Sequence, residues 1–303
     1  MSESSRQSAR NERLVRQAHA RSLVLQSMAM ALGLCILKIA AGVASQSLAL
    51  LASALDSLMD LFSSAVNFIS LSFSQQPADD DHLYGHGKIE GVAGALQGAV
   101  IGISGLALLV ESARRLAAGA EVAADGFGIA VMVVSMVLSV IHGMRLRRAA
   151  EEGHSPILEA EGLHFSMDVL ANSGVLVALV FMKFGAHAMW DVVISLIVAG
   201  YVVKEALSLM MRSIHQLMDR RLSDEVHAEI KDLIFGHHKS IVGFHDLRTR
   251  QSGDRVFIDF HVEIAGVEKF RDAHEITEGL IDKIKRKMPN ADVTVHPDPE
   301  GEC

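Results

Sequence analysis

Cysteine is nearly missing from this 303-residue chain. There are two, Cys35 in an apolar run and Cys303 at the end. Two thiols so placed exclude a disulfide framework and a CxxC site. An excess of positive charge is missing too: 28 Lys and Arg face 36 Asp and Glu, a formal net charge of -8. No basic patch interleaved with aromatics occurs, which argues against a nucleic-acid partner. There is no HExxH and no Walker A sequence. The first absence disfavours a zinc hydrolase, the second an ATP-driven machine. Met1 to Arg21 is polar and rich in Arg and Ser, without the apolar core and small-residue cleavage site of a signal peptide. It reads as a retained charged tail, residues 1–20.

What is abundant is hydrocarbon. Half of the residues are hydrophobic and the mean hydropathy is +0.29, high for a soluble protein of this length. A membrane-spanning helix needs about 20 mostly apolar residues. Six candidates stand in 21–213: Leu23 to Val43, Leu48 to Phe73, Ile89 to Leu109 with a tail to Ala118, Gly126 to Met144, Ile157 to Phe184, and Met189 to Leu209. The second and fifth carry acidic residues and many Ser, so they are expected inside the bundle. Lys and Arg in short connections mark the cytoplasmic side. Arg6, Arg10, Arg13, Arg16 and Arg21 precede the first candidate; Arg145, Arg147 and Arg148 follow the fourth; Arg212, Arg220 and Arg221 follow the sixth. Six spans put all three groups on one side, with both termini cytoplasmic. Arg114 and Arg115 dissent, offset by Glu111 and Glu121.

From 214 to 303 the chain reads as a soluble domain. Ser223 is a candidate N-cap followed by Asp224 and Glu225, opening a helix to about Phe235. His245 to Gln251 is strand-like, and Ser252-Gly253-Asp254 reads as a hairpin turn. Val256 to Ile264 alternates: Val256, Ile258, Phe260, Val262 and Ile264 on one face; Phe257, Asp259, His261 and Glu263 on the other. A helix from about Arg271 to Met288 and a strand from Asp292 to His296 complete an αββαβ order. That order suits a small three-stranded sheet of ferredoxin-like or metallochaperone-like kind, with helices on its apolar face. Asp259, His261, Glu263, Thr294 and His296 fall on the other face.

Three clusters carry chemistry. Asp56 and Asp60 lie one turn apart in the second apolar run, and His164 and Asp168 repeat the spacing in the fifth. Residues i and i+4 share a helix face, ~6 Å apart along the axis. A carboxylate in hydrocarbon costs several kcal/mol, so such residues usually face the bundle interior and serve a function. Opposed, the two faces bring three carboxylates and one imidazole to a point, the number and type of ligand that a tetrahedral zinc ion takes. The competing reading is four separate interhelical hydrogen bonds, which two matched pairs disfavour. Ser64, Asn67 and Asn172 extend the two polar stripes, either as supports for the ligands or as ordinary interhelical hydrogen bonds. A histidine must shed its proton when metal arrives, so metal and protons compete for the same atoms. The second cluster is Asp79, Asp80, Asp81, His82 and His86 in the loop after the second run, either a divalent-cation site or a solvated turn. The third is His245, His261, His274, His296 and Asp298, which a small sheet can gather into a metal site. His227, His237 and His238 read as surface residues.

These segments together resemble the cation diffusion facilitator family of bacterial zinc and ferrous-iron transporters, over nearly the whole chain from about Arg21 to Pro299. The resemblance rests on SLALLASALDSLMD at 47–60, DHLYGHGKIE at 81–90, HFSMD at 164–168, HDLRTRQSG at 245–253 and HPDP at 296–299. It implies a transport site at Asp56, Asp60, His164 and Asp168. It implies a loop site at Asp79, His82 and His86, and a two-metal cytoplasmic site at His245, His261, His274, His296 and Asp298 that helps to hold a homodimer. It implies a charge interlock between protomers through Lys88 and Asp219, and metal export by alternating access with proton antiport. Pro297 and the Glu268-Lys269-Phe270 junction depart from the family pattern.

The expectation is an inner-membrane exporter of divalent metal, zinc first, with cadmium and ferrous iron as further substrates. Zinc is also expected as a structural ion, and lipid and a second copy as partners. Histidine favours zinc over the all-oxygen set that magnesium or calcium prefers. A membrane-embedded sensor or assembly factor, binding without transport, is the alternative. A metalloenzyme would want three ligands and an open position.

Overall fold

The computed structural model describes residues 3–45, 48–118, 126–153, 155–183 and 189–301. Among the described residues six long helices come first: α1 (Glu3–Ser45), α2 (Leu48–Ser74), α3 (Ile89–Ala118), α4 (Gly126–Gly153), α5 (Pro156–Lys183) and α6 (Met189–Leu217). Then follow α7 (Asp224–Phe235), β1 (Ile241–Ser252), β2 (Arg255–Ile264), α8 (Phe270–Lys287) and β3 (Ala291–Pro299). The chain divides into two compact units, one of Arg16–Ile214, the other of His215–Cys303 with Met1–Val15.

In the helical unit α5 is central. Its Ile157, Leu158 and Phe165 pack with Leu23 and Val24 of α1, Leu71 of α2 and Leu146 of α4. Its Ala160, Leu163 and Met167 pack with Ile101 of α3 and with Val198, Val202, Ala206 and Leu209 of α6. Glycine permits the close approach of α4 and α5: a Cβ on Gly162 would lie 3.1 Å from Arg147 Cγ, and one on Gly143 would lie 3.3 Å from Phe165 Cβ. Large apolar side chains such as Ile36, Phe62, Ile69, Ile103 and Ile197 are exposed on the outside. A bundle that keeps Ser64, Asn67, Glu161 and His164 buried among apolar clusters and exposes large apolar side chains suits a lipid surround. By length and composition, two segments among the described residues are apolar enough to cross a membrane, Gln17–Ala41 and Ile89–Val110. The expected second and fifth spans carry acids and hydroxyls, which lower their hydropathy. The 1–20 tail differs from expectation in one respect: α1 starts at Glu3, so the charged segment continues the first apolar run as helix.

The soluble unit has the expected αββαβ order. Its sheet runs β1-β2-β3, with β1 antiparallel to β2 and β2 parallel to β3. Ser223 caps α7 by accepting from Val226 N–H. Ile230 and Ile234 of α7, with Leu280 and Ile284 of α8, cover Ile258, Phe260, Val262 and Val293 of the sheet. The apolar face of β2 is thus the one that strict alternation selects. Burying that face leaves the histidine face of the sheet open.

Candidate metal centres

Opposed α2 and α5 place the intramembrane ligands. His164 Nε2 lies 3.0 Å from Asp60 Oδ1 and 3.5 Å from Asp168 Oδ2. Ligand atoms from all three residues lie within 4.8 Å of one another. His164 is buried, and Asp60 and Asp168 are partly open. The Asp56 side chain lies outside the described residues; its Cα sits one turn before Asp60 on the same helix. Two carboxylates gathered around one imidazole in an apolar bundle form an anionic pocket that a divalent cation offsets.

Ser64 and Asn67 do not support these ligands directly. Both donate to Glu161 of α5, Ser64 Oγ to Oε1 at 2.5 Å and Asn67 Nδ2 to Oε2. Glu161 is fully buried. Sequence reasoning missed it, although its signal was present: Glu161, His164 and Asp168 fall at i, i+3 and i+7, one helix face. Lys38 of α1 was missed as well. It donates to Ser57, the residue after Asp56, at 2.8 Å. Glu90 at the head of α3 accepts from Ser74 at 2.7 Å and from Ser155 at 3.2 Å, tying the ends of α2, α3 and α5 together.

The loop cluster is also gathered. Asp79 Oδ1 lies 3.2 Å from His82 Nδ1, and Asp79 Oδ2 lies 3.2 Å from His86 Nε2. Asp79 Oδ1 accepts the backbone N–H of His82 at 2.7 Å. That hydrogen bond, opposed by desolvation, holds the Asp79 carboxyl below its usual range. Gly85, with φ of +81°, turns the chain back so that His86 returns to Asp79. Lys88 follows on this loop, half-buried.

The soluble cluster is a row across the sheet. His245 pairs with His261 in the β1–β2 register, and His261 pairs with His296 in the β2–β3 register. Asp298, two residues on and so on the same face, closes the row. Its Oδ2 lies 2.8 Å from His261 Nδ1 and 3.1 Å from His245 Nε2; its Oδ1 lies 3.2 Å from His296 Nε2. A bulge between His245 and Arg248, with Asp246 at φ 53°, adjusts the end of β1 that carries His245. His245 Nε2 is buried without a hydrogen bond. A buried nitrogen beside a carboxylate is the donor chemistry that zinc takes, so these residues fit a metal ion. His274 stands apart from the row. It is exposed on α8, with its ring stacked on Phe270 at a centroid distance of 6.2 Å. His227 and His237 are not plain surface residues. His227 Nε2 lies 2.7 Å from Thr249 Oγ1, and His237 Nε2 lies 3.0 Å from Ile276 O. Asp219 lies 3.5 Å from Arg250 Nη1.

Two family profiles cover this architecture in turn. The cation efflux transmembrane domain matches residues 24–218, and the cytoplasmic domain of cation efflux proteins matches 222–300. The chain belongs to the cation diffusion facilitator family. It is 38% identical to the cation-efflux pump FieF of Shewanella oneidensis over 274 residues, 90% of this chain and 92% of that protein. It is 34% identical to FieF of Salmonella arizonae over 275 residues, 91% of each. A solved structure of the metal-bound C-terminal domain of the CzcD transporter from Thermotoga maritima is 26% identical, with a TM-score of 0.24, covering 26% of this chain and 98% of that one. This family member is a membrane-embedded divalent-cation efflux protein, not an enzyme.

Proposed function

We propose that this cation diffusion facilitator exports zinc in exchange for protons, with cadmium and ferrous iron as further substrates. The observation that carries this reading is the convergence of Asp60, His164 and Asp168 from two facing helices, with Asp56 one turn away. One nitrogen and three carboxylate oxygens suit zinc better than the harder cations. The same four groups accept protons when metal leaves, so occupancy by one excludes the other. Export follows if the bundle exposes this site to the two sides of the membrane alternately. The ligands stay fixed on α2 and α5 while the paths to them open and close.

The proposed topology is six spans in the inner membrane with both termini cytoplasmic. The loop triad Asp79, His82 and His86 would take one zinc. His245, His261, His296 and Asp298 would take structural zinc in the cytoplasmic domain, with the two-metal set including His274 only if its ring leaves Phe270. The assembly would be a homodimer, with Lys88 and Asp219 in a charge interlock between protomers. Zinc uptake by proteoliposomes holding the full chain tests the reading, run beside cadmium, ferrous iron, manganese and magnesium. Zinc, cadmium and iron should accumulate and magnesium should not. A chain that binds zinc and moves none would be a sensor or assembly factor.

A further inference from the structure

The proposed transport chemistry gives no task to the buried acid nearest the ligands. Glu161 is 0% exposed, sits in an apolar helix, and accepts from Ser64 and Asn67 of α2. A carboxylate in that position is costly unless something requires it. Its neighbours are ordered with the metal ligands. Along α2 the order is Asp60, Ser64, Asn67; along α5 it is Glu161, His164, Asp168. The helices run antiparallel here, so Asp60 meets His164 while Ser64 and Asn67 meet Glu161. The clamp lies about one turn from the ligands, toward the end of α2 and the start of α5.

We propose that Glu161 is a positioning residue of the transport site. Its clamp on Ser64 and Asn67 fixes the rotation and height of α5 against α2, and so presents His164 and Asp168 to Asp60. The inference rests on the reading of Asp60, His164 and Asp168 as the transport site. Both oxygens of Glu161 are used, one on each α2 donor, which resists twisting as well as separation of the helices. Buried hydrogen bonds of this kind hold ligands to the narrow tolerance that a site requires. The next residue, Gly162, faces Leu146 and Arg147 of α4 closely, so α5 is held by α4 on an adjoining face.

The clamp makes a distinction that simple structural support does not. Asn67 Oδ1 is buried without a partner. In Glu161→Gln the Asn67 amide can reverse, accept from the new Nε2–H through Oδ1, and leave Ser64 donating to the Gln oxygen. The clamp survives and only the charge goes. In Glu161→Ala the clamp is lost.

The experiment is zinc uptake by proteoliposomes, with KM and Vmax fitted separately, because KM does not depend on the fraction of active molecules. Glu161→Ala should raise the zinc KM at least fivefold. Glu161→Gln should stay within threefold of the parent. A smaller rise in Glu161→Ala, or a Glu161→Gln as impaired as Glu161→Ala, overturns the proposal. Ser64→Ala removes one arm and adds no volume. It should raise KM at least threefold, and it decides the matter if Glu161→Ala does not fold. Asp60→Ala runs alongside. If it still transports, the site assignment falls; if it is inactive and the clamp variants keep the parent KM, only the clamp falls.

Discussion

Replacing Asp60 by Asn isolates the charge of the transport site. The side chain keeps its size, and an amide oxygen stays beside His164 Nε2, 3.0 Å from the present carboxylate oxygen. What goes is one negative charge next to the cation. At the dielectric constant of bulk water, a divalent ion about 3 Å from a unit charge gains about 3 kcal/mol. That corresponds to about a hundredfold in affinity. The less polar bundle interior raises this figure, and proton competition at Asp60 lowers it. Asp60→Asn should therefore leave a monodisperse protein in detergent and raise the zinc concentration for half-maximal uptake by about a hundredfold. Uptake is the right readout, since the loop and sheet clusters bind zinc of their own and would mask the change in a bulk titration. A variant within threefold of the parent would refute the placement of the ion against Asp60.

Exchanging the nitrogen donor in His164→Asp should shift preference from zinc toward manganese, read as the ratio of their uptake rates; an unchanged ratio contradicts the ligand assignment. Zinc at about 100 times its Kd should stabilise the cytoplasmic domain by about 2.7 kcal/mol. Asp298→Asn should remove most of that zinc-dependent rise in Tm, and a full rise would exclude Asp298 as a ligand. A Cβ on Gly98 would sit 3.0 Å from Ala206 O and Met210 N across α6. Gly98→Leu should thus cost about 1–3 kcal/mol through overpacking, seen as a lower melting temperature in detergent, and an unchanged one would show that α3 and α6 have room to part.

Much of the candidate site is legible in the sequence because its grammar is local. Acids at i and i+4 in an apolar run fix a helix face, and strict alternation in 256–264 fixes a sheet face. The row His245, His261, His296 follows once strands pair, since registered residues share a face. Glu161 escaped because it stands beside Glu159 near the start of α5 and reads as part of a charged helix end. Its i, i+3 and i+7 spacing with His164 and Asp168 places it on the ligand face, and its partners Ser64 and Asn67 show that it is held there rather than solvated. His274 is not gathered with the row: helix α8 turns it outward onto Phe270, beside the stripe of Ala273, Ile276, Leu280 and Ile284 that meets the sheet. His227 and His237 have partners distant in sequence, Thr249 and Ile276, that no local pattern shows. The charged start of α1 reads as a tail by composition, yet it continues the helix of the apolar run, where extension is cheaper than a new start.

The most direct measurement is the pH inside sealed proteoliposomes as zinc is added outside. The account predicts that zinc entry is matched by proton exit, that an imposed proton gradient drives zinc against its own gradient, and that both vanish in Asp60→Ala. Zinc movement with no pH change, or the same exchange in Asp60→Ala, would contradict a single cage shared by metal and protons.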